Sequence, residues 1–195
     1  MEIILASASP RRQELLKNIF TSFTVIPADI DENISGITDV EALPQAIAQK
    51  KAKFIAKDYT DSLVIGCDTG VIVDGQMLGK PKDKNDAVNM LKMLSGRKHF
   101  VITGCCLCFR EKVYSFSEKT VVEFYPLTDS EIQEYILTAE TESSVKYQWQ
   151  DKAGGYGIQG KAGLFVKGIE GDYYNVVGLP YARLNREINK FLKEV

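Results

Sequence analysis

Two hairpin-like pairings of strand-forming residues constrain this chain more than any other feature. Ser62–Val73 carries Leu63, Val64, Ile65, Val71, Ile72 and Val73, and it ends at Asp74-Gly75, a dipeptide that closes two-residue hairpins. Phe100–Phe109 and Lys112–Tyr125 read as a second hairpin turning at Arg110-Glu111. Helical patterns interrupt these runs. Glu41–Lys57 places Ile47, Ala48, Ala52 and Ile55 on one face, with Pro44 fitting only the first turn. Asp83–Ser95 has Asp83 as its cap, Ala87, Leu91 and Leu94 as its apolar face, and Gly96 as its stop. Hairpins mixed with helices, without strict β-α-β alternation, imply an α/β or α+β chain with a mixed sheet. The 195 residues suit one domain over 1–195, large enough to bury a core.

The remaining segments fill in around this frame. Ile3–Ala6 reads as a short buried strand. Ser9 stands at an N-cap and Pro10 in the first turn of a helix running to about Asn18. Phe23–Pro27 reads as a strand and Asp29–Asp39 as polar loop. Thr128 and Glu131 form a capping box for a helix to about Thr138. Gly154–Gly163 is glycine-rich loop, Leu164–Lys167 and Tyr174–Val177 read as strands, and Pro180–Leu192 closes the chain as a helix with Leu184, Ile188 and Phe191 inward. The net charge of −2 gives no overall field toward nucleic acid or anionic lipid, so any polyanion site is local. No apolar run approaches the roughly 20 residues of a membrane span, and Met1-Glu2 is acidic where a signal peptide is basic. Cys67, Cys105, Cys106 and Cys108 lack a framework-like spacing and read as reduced, in a cytoplasmic setting.

Four features could carry chemistry. Strand, serine-containing turn and helix N-terminus at Ser7-Ala8-Ser9-Pro10 make an anion site. Arg11 and Arg12 then stand where the helix dipole disfavours cations, unless a bound phosphate reverses the sign. Taken alone, both are equally well solvated surface residues. Asp68 lies between apolar strand segments and beside Gly66 and Gly70, a costly place for an unpaired carboxylate. It fits a general base for water, a ligand of a divalent cation, or a strand-end aspartate capping a loop. Lys80 follows the first hairpin, and Lys51 lies on a helix beside Ala48, Ala52 and Ile55. Both suit phosphate, and both suit solvent. Asp31-Glu32 could add carboxylate to a metal. In Ala153–Gly160 the glycines permit close approach, and Gln159 can read donors and acceptors on a base edge or belong to a flexible loop. The CxxC spacing at Cys105–Cys108 falls inside a strand without a second pair, against redox or zinc use. His99, the single histidine, leaves little room for a catalytic triad and reads as structural.

Together these segments resemble the Maf family of nucleotide pyrophosphatases. The matching pieces are Leu5–Arg12, Asp31-Glu32, Lys51-Ala52, Asp68-Thr69, Gly79-Lys80-Pro81, Gly157–Gly160 and Asn175–Pro180, in the family's order and over nearly the whole chain. The resemblance implies an α/β fold like the inosine triphosphate pyrophosphatases, with an elongated mixed sheet flanked by helices and a central substrate cleft. It implies hydrolysis of a nucleoside triphosphate to the monophosphate and pyrophosphate with a divalent cation, Mg²⁺ or Mn²⁺, in a homodimer. The partner is then a small nucleotide, not a nucleic acid or a membrane. Carried over by position, Asp68 is the proton acceptor and Ser7, Arg12, Lys51 and Lys80 are phosphate ligands. Glu32 and Asp68 are the metal-side carboxylates. Arg11, Thr69 and Gln159 match positions that separate subfamilies, and they look like the dTTP/UTP branch. Gly70 stands where the family more often has valine. Two rival readings are a pyrophosphatase for 7-methyl-GTP or other non-canonical nucleotides, and a nucleotide-binding cell-division regulator without significant catalysis.

Overall fold

The computed structural model describes residues 1–141 and 148–194, with the backbone alone at 139–141. Among them the strands are β1 (Ile3–Leu5), β2 (Thr24–Val25), β3 (Leu63–Val73), β4 (Gln76–Leu78), β5 (Lys98–Phe109), β6 (Lys112–Phe124) and β7 (Val166–Glu170). The helices are α1 (Pro10–Leu16), α2 (Leu43–Ala56), α3 (Lys84–Leu94), α4 (Asp129–Thr141), α5 (Tyr173–Val177) and α6 (Tyr181–Phe191). Hydrogen-bonded neighbours run β2-β1-β3-β5-β6-β7, with β4 paired to β3. Parallel and antiparallel ladders both occur, so the chain is α/β with the mixed sheet its hairpins and helices called for. Two compact units divide it. One comprises Met1–Thr69, Ile102–Glu118 and Tyr174–Val195, the other Gly70–Val101 and Lys119–Tyr173.

In the first unit β1 is buried along its whole length and runs parallel to both β2 and β3, pairing Ile3, Ile4 and Leu5 with Leu63, Val64 and Ile65. A strand covered on both faces reads as a continuous apolar run, as Ile3-Ile4-Leu5 does. Ile4 and Val64 form a core with Ala48, Ala52, Ile55, Cys106 and Cys108. The helix lies close because two glycines admit it. A Cβ on Gly66 would stand 2.3 Å from the Ala48 carbonyl oxygen, and one on Gly104 would stand 2.3 Å from the Gln45 nitrogen. Side chains alternate along a strand. Asp68 therefore shares the face of Val64 and Gly66, the face α2 covers.

Tyr174–Val177 is not a strand. Tyr173–Val177 is a one-turn helix, α5, ended by Gly178 at φ 121°, whose N–H donates to the Tyr174 and Asn175 carbonyls. Two tyrosines and two valines carry strand propensity, but Gly178 closes the turn and the site described below takes its carbonyl.

In the second unit the end of β3 pairs antiparallel with β4 across Asp74-Gly75, at φ 51° and 70°. Asp83 caps α3 by accepting from the Asp86 N–H. Residues expected as a strand over Leu164–Lys167 divide between a 3₁₀ turn, Lys161–Phe165, and β7. The glycine-rich stretch is more ordered than a flexible loop. Gly154 and Gly155 are buried at φ 69° and 71°, packed on Val71 and Pro81, and the Gly154 N–H donates to the Gly79 carbonyl at 3.0 Å. His99, Phe124, Tyr135, Tyr156 and Phe165 form an edge-to-face aromatic cluster in this unit.

Candidate active site

Lys51 comes from the middle of α2 and Asp68 from β3. The glycine-admitted approach of the helix brings the Lys51 Nζ to 2.7 Å from the Asp68 carboxylate. The same Nζ lies 2.7 Å from Glu32 in the preceding loop. Lys51 and Asp68 are buried, whereas the Glu32 side chain is 57% exposed and can leave the ammonium for water. Burial pushes the Asp68 carboxyl above the ordinary aspartate range. The charges of Lys51 and Arg12 pull it back, and Glu32 adds to the upward push. A carboxylate of raised basicity, paired to a cation and next to an exposed second carboxylate, is equipped to take a proton.

Arg12 makes the second cluster, and its guanidinium is largely committed to the protein. Nε donates to the Gly178 carbonyl at 2.9 Å. Nη1 donates to Ser7 Oγ at 3.1 Å and to the Cys67 carbonyl at 2.9 Å, and Nη2 donates to Thr69 Oγ1 at 2.9 Å. An arginine has five N–H donors, so these contacts leave one. The polarity of Ser7 follows. Its Oγ accepts from Arg12 and from the Ser9 N–H at 3.3 Å, which occupies both lone pairs. Its own proton is left to donate, as an anion ligand requires. Ser9 stands at the N-cap of α1, but its side chain makes no capping hydrogen bond.

Arg11 sits half-buried on the first turn of α1. Lys80 and Gln159 are exposed and belong to the second unit, where the Gly154–Gly79 hydrogen bond ties their two loops together. All four cysteines are free and buried, Cys67 and Cys105 having their sulfurs 3.8 Å apart. His99 is buried with Nε2 2.8 Å from the Tyr156 hydroxyl, and burial lowers its pKa to about 4, as a structural histidine would behave. Thr103 was missed. It is fully buried, and its Oγ1 stands 2.9 Å from Thr69 Oγ1 and donates to the Asn175 carbonyl at 3.1 Å. Its signal in the sequence is a lone hydroxyl in the apolar run Phe100–Phe109.

A family model described as Maf-like protein matches residues 2–191. The chain belongs to the Maf family. A Maf relative from Carboxydothermus hydrogenoformans, named dTTP/UTP pyrophosphatase, is 49% identical over 195 residues, covering 98% of this chain and 99% of its own. Another of that name, from Bacillus cytotoxicus, is 46% identical over 190 residues, covering 97% and 95%. Among solved structures, the Ham1 protein of Staphylococcus aureus is 20% identical with a TM-score of 0.43, over 64% of this chain and 72% of that one.

Six of the Maf motif positions in the first unit thus fall into two clusters, Lys51–Asp68–Glu32 and Arg12–Ser7–Thr69, joined through the adjacent residues Cys67, Asp68 and Thr69. A divalent cation fits the first by chemistry. Glu32 and Asp68 are the hard oxygen donors that could hold it, in place of the Lys51 Nζ they now share. Among the described residues no group of three or more histidine, cysteine or acidic side chains is gathered.

Proposed function

We propose that this Maf protein is a nucleoside triphosphate pyrophosphatase that hydrolyses dTTP and UTP to the nucleoside monophosphate and pyrophosphate. The names of its relatives supply the substrates, and the buried Asp68 carboxylate on Lys51 is the observation that carries the chemistry. Asp68 takes the proton of a water directed at the α-phosphorus. Ser7 donates its hydroxyl proton to a phosphate oxygen, and Lys51 supplies positive charge as the leaving pyrophosphate gains negative charge. Glu32 releases Lys51 as the ammonium turns to phosphate, and with Asp68 it would offer oxygens to Mg²⁺ or Mn²⁺. When bound, such a cation neutralises phosphate charge and polarises the phosphoryl oxygen. Arg12 holds Ser7 and Thr69 in place and keeps one N–H for the ligand. Lys80 is assigned to phosphate, and Arg11 and Gln159 to the choice of substrate, by their match to the family's motif alone. The same resemblance supports a homodimer acting on a small nucleotide, in the cytoplasm. Among the described residues no helix is long and apolar enough to cross a membrane.

The test is pyrophosphate release from dTTP, UTP, CTP, GTP, ATP and 7-methyl-GTP with Mg²⁺ or Mn²⁺, for the wild type and for Asp68→Asn. Strong release from dTTP and UTP, lost in a folded Asp68→Asn protein, supports the reading. Release from 7-methyl-GTP instead removes the substrate assignment, and near wild-type turnover by Asp68→Asn removes Asp68 as the base.

A further inference from the structure

Thr69 and Thr103 form a hydroxyl chain whose direction the structure determines. A threonine hydroxyl has one proton and two lone pairs. A backbone carbonyl only accepts, so the proton of Thr103 is spent on Asn175. Thr103 then has none to give to Thr69. The 2.9 Å contact between the hydroxyls must therefore have Thr69 as donor and Thr103 as acceptor. Thr69 also accepts from Arg12 Nη2. Its proton and one lone pair are committed, and one lone pair remains. Thr69 is half-buried, so that lone pair has a route to a ligand, whereas Thr103 and Asn175 are fully buried. Arg12 thus leaves two hydroxyls with opposite characters: Ser7 as a donor and Thr69 as an acceptor.

Resting on the reading above and deepening it, we propose that Thr103 is a positioning residue that fixes Thr69 as a pure acceptor for the ring N3–H of uracil or thymine. Cytosine presents an unprotonated N3, which would set lone pair against lone pair. A site whose buried polar group is left unpaired by the wrong ligand discriminates far more strongly than an apolar pocket does. A lone Thr69, free to rotate, could donate as readily as accept, and would accept both bases. Thr103 never touches the nucleotide in this account. It acts by removing the Thr69 proton from circulation.

The experiment compares kcat/KM for UTP, CTP and N3-methyl-UTP in wild type, Thr103→Val and Thr103→Ser. Wild type is expected to prefer UTP over both others. Thr103→Val keeps the shape and loses the acceptor. It is expected to narrow the UTP/CTP ratio at least tenfold, chiefly by improving CTP. Thr103→Ser restores the hydroxyl and is expected to restore the ratio, an outcome that loss of packing alone would not give. An unchanged ratio in a folded Thr103→Val protein overturns the proposal. So does wild-type indifference to N3 methylation, which remains decisive if Thr103→Val does not fold. Absence of pyrophosphate release from every nucleotide by the wild type is a different failure. It overturns the functional reading, and this inference with it.

Discussion

Replacing Lys51 by methionine isolates the electrostatics of the site. Methionine keeps much of the lysine stem and removes the ammonium that stands 2.7 Å from Asp68. Both partners are buried, and Asp68 is already pushed up by burial. Removing one member of a buried pair leaves a charge uncompensated, at a cost of about 3–5 kcal/mol. Arg12 remains as a weaker counter-charge, so the lower end applies. Loss of the neighbouring ammonium raises the Asp68 carboxyl further. The sign follows from linkage. A carboxyl raised in the folded protein binds its proton more tightly there than in the unfolded chain. The variant's deficit is therefore absent below the unfolded aspartate pKa, and it grows as pH rises toward the folded one. Urea unfolding of wild type and Lys51→Met at pH 5 and pH 8 reads this directly. A deficit of about 3 kcal/mol at pH 8, shrinking by more than about 1 kcal/mol at pH 5, is expected. Equal deficits at the two pH values would mean that Lys51 is lost as packing, not as a counter-ion, and would refute the electrostatic reasoning.

Other perturbations test neighbouring parts of the account. Arg12→Lys keeps the charge but cannot reproduce contacts to Ser7, Thr69, Cys67 and Gly178 at once. It should lower stability by about 1–3 kcal/mol and raise KM for the nucleotide, measured by thermal melts and steady-state kinetics. The pKa of His99 is depressed to about 4, so the unfolded chain takes up a proton first. Its contribution to stability is complete above about pH 6.5 and is lost toward pH 4 at about 1.4 kcal/mol per pH unit, a slope that His99→Phe should flatten in urea midpoints. Gly66→Ala drives a Cβ to 2.3 Å from the Ala48 oxygen and must displace α2 from β3. It should cost about 3 kcal/mol or more, against about 1–2 kcal/mol at Gly75, where only a φ of 70° resists the side chain.

What was legible in the sequence was mostly local. Asp74-Gly75 closes its hairpin with two positive φ angles, and Asp83 caps α3. Thr128 and Glu131 make the capping box reciprocally, at 2.7 Å and 3.2 Å between side chain and backbone N–H. Each rests on residues within four positions of one another. The helix face holding Ala48, Ala52 and Ile55 was legible for the same reason, and it placed Lys51 along a buried edge. Arg12 shows the limit. Its doublet with Arg11 marks an anion site, but the Gly178 carbonyl it holds is 166 residues away, and Gly178 ends a helical turn whose Tyr-Tyr-Asn-Val-Val sequence reads as strand. Thr103 is marked only as a lone hydroxyl in an apolar run, because nothing local shows a buried hydroxyl's donor and acceptor partners. Gly66 announces close approach, but not that α2 makes it, and nothing local marks Gly104 as the second point of contact.

The claim underlying the whole account is that water activated by Asp68 attacks the α-phosphorus. Hydrolysis of UTP in ¹⁸O-labelled water, with both products resolved by mass spectrometry, tests it most directly. The account expects the heavy oxygen in the monophosphate, unlabelled pyrophosphate, and neither product from Asp68→Asn. Label in the pyrophosphate would place the attack at the β-phosphorus and contradict the assignment of the reaction.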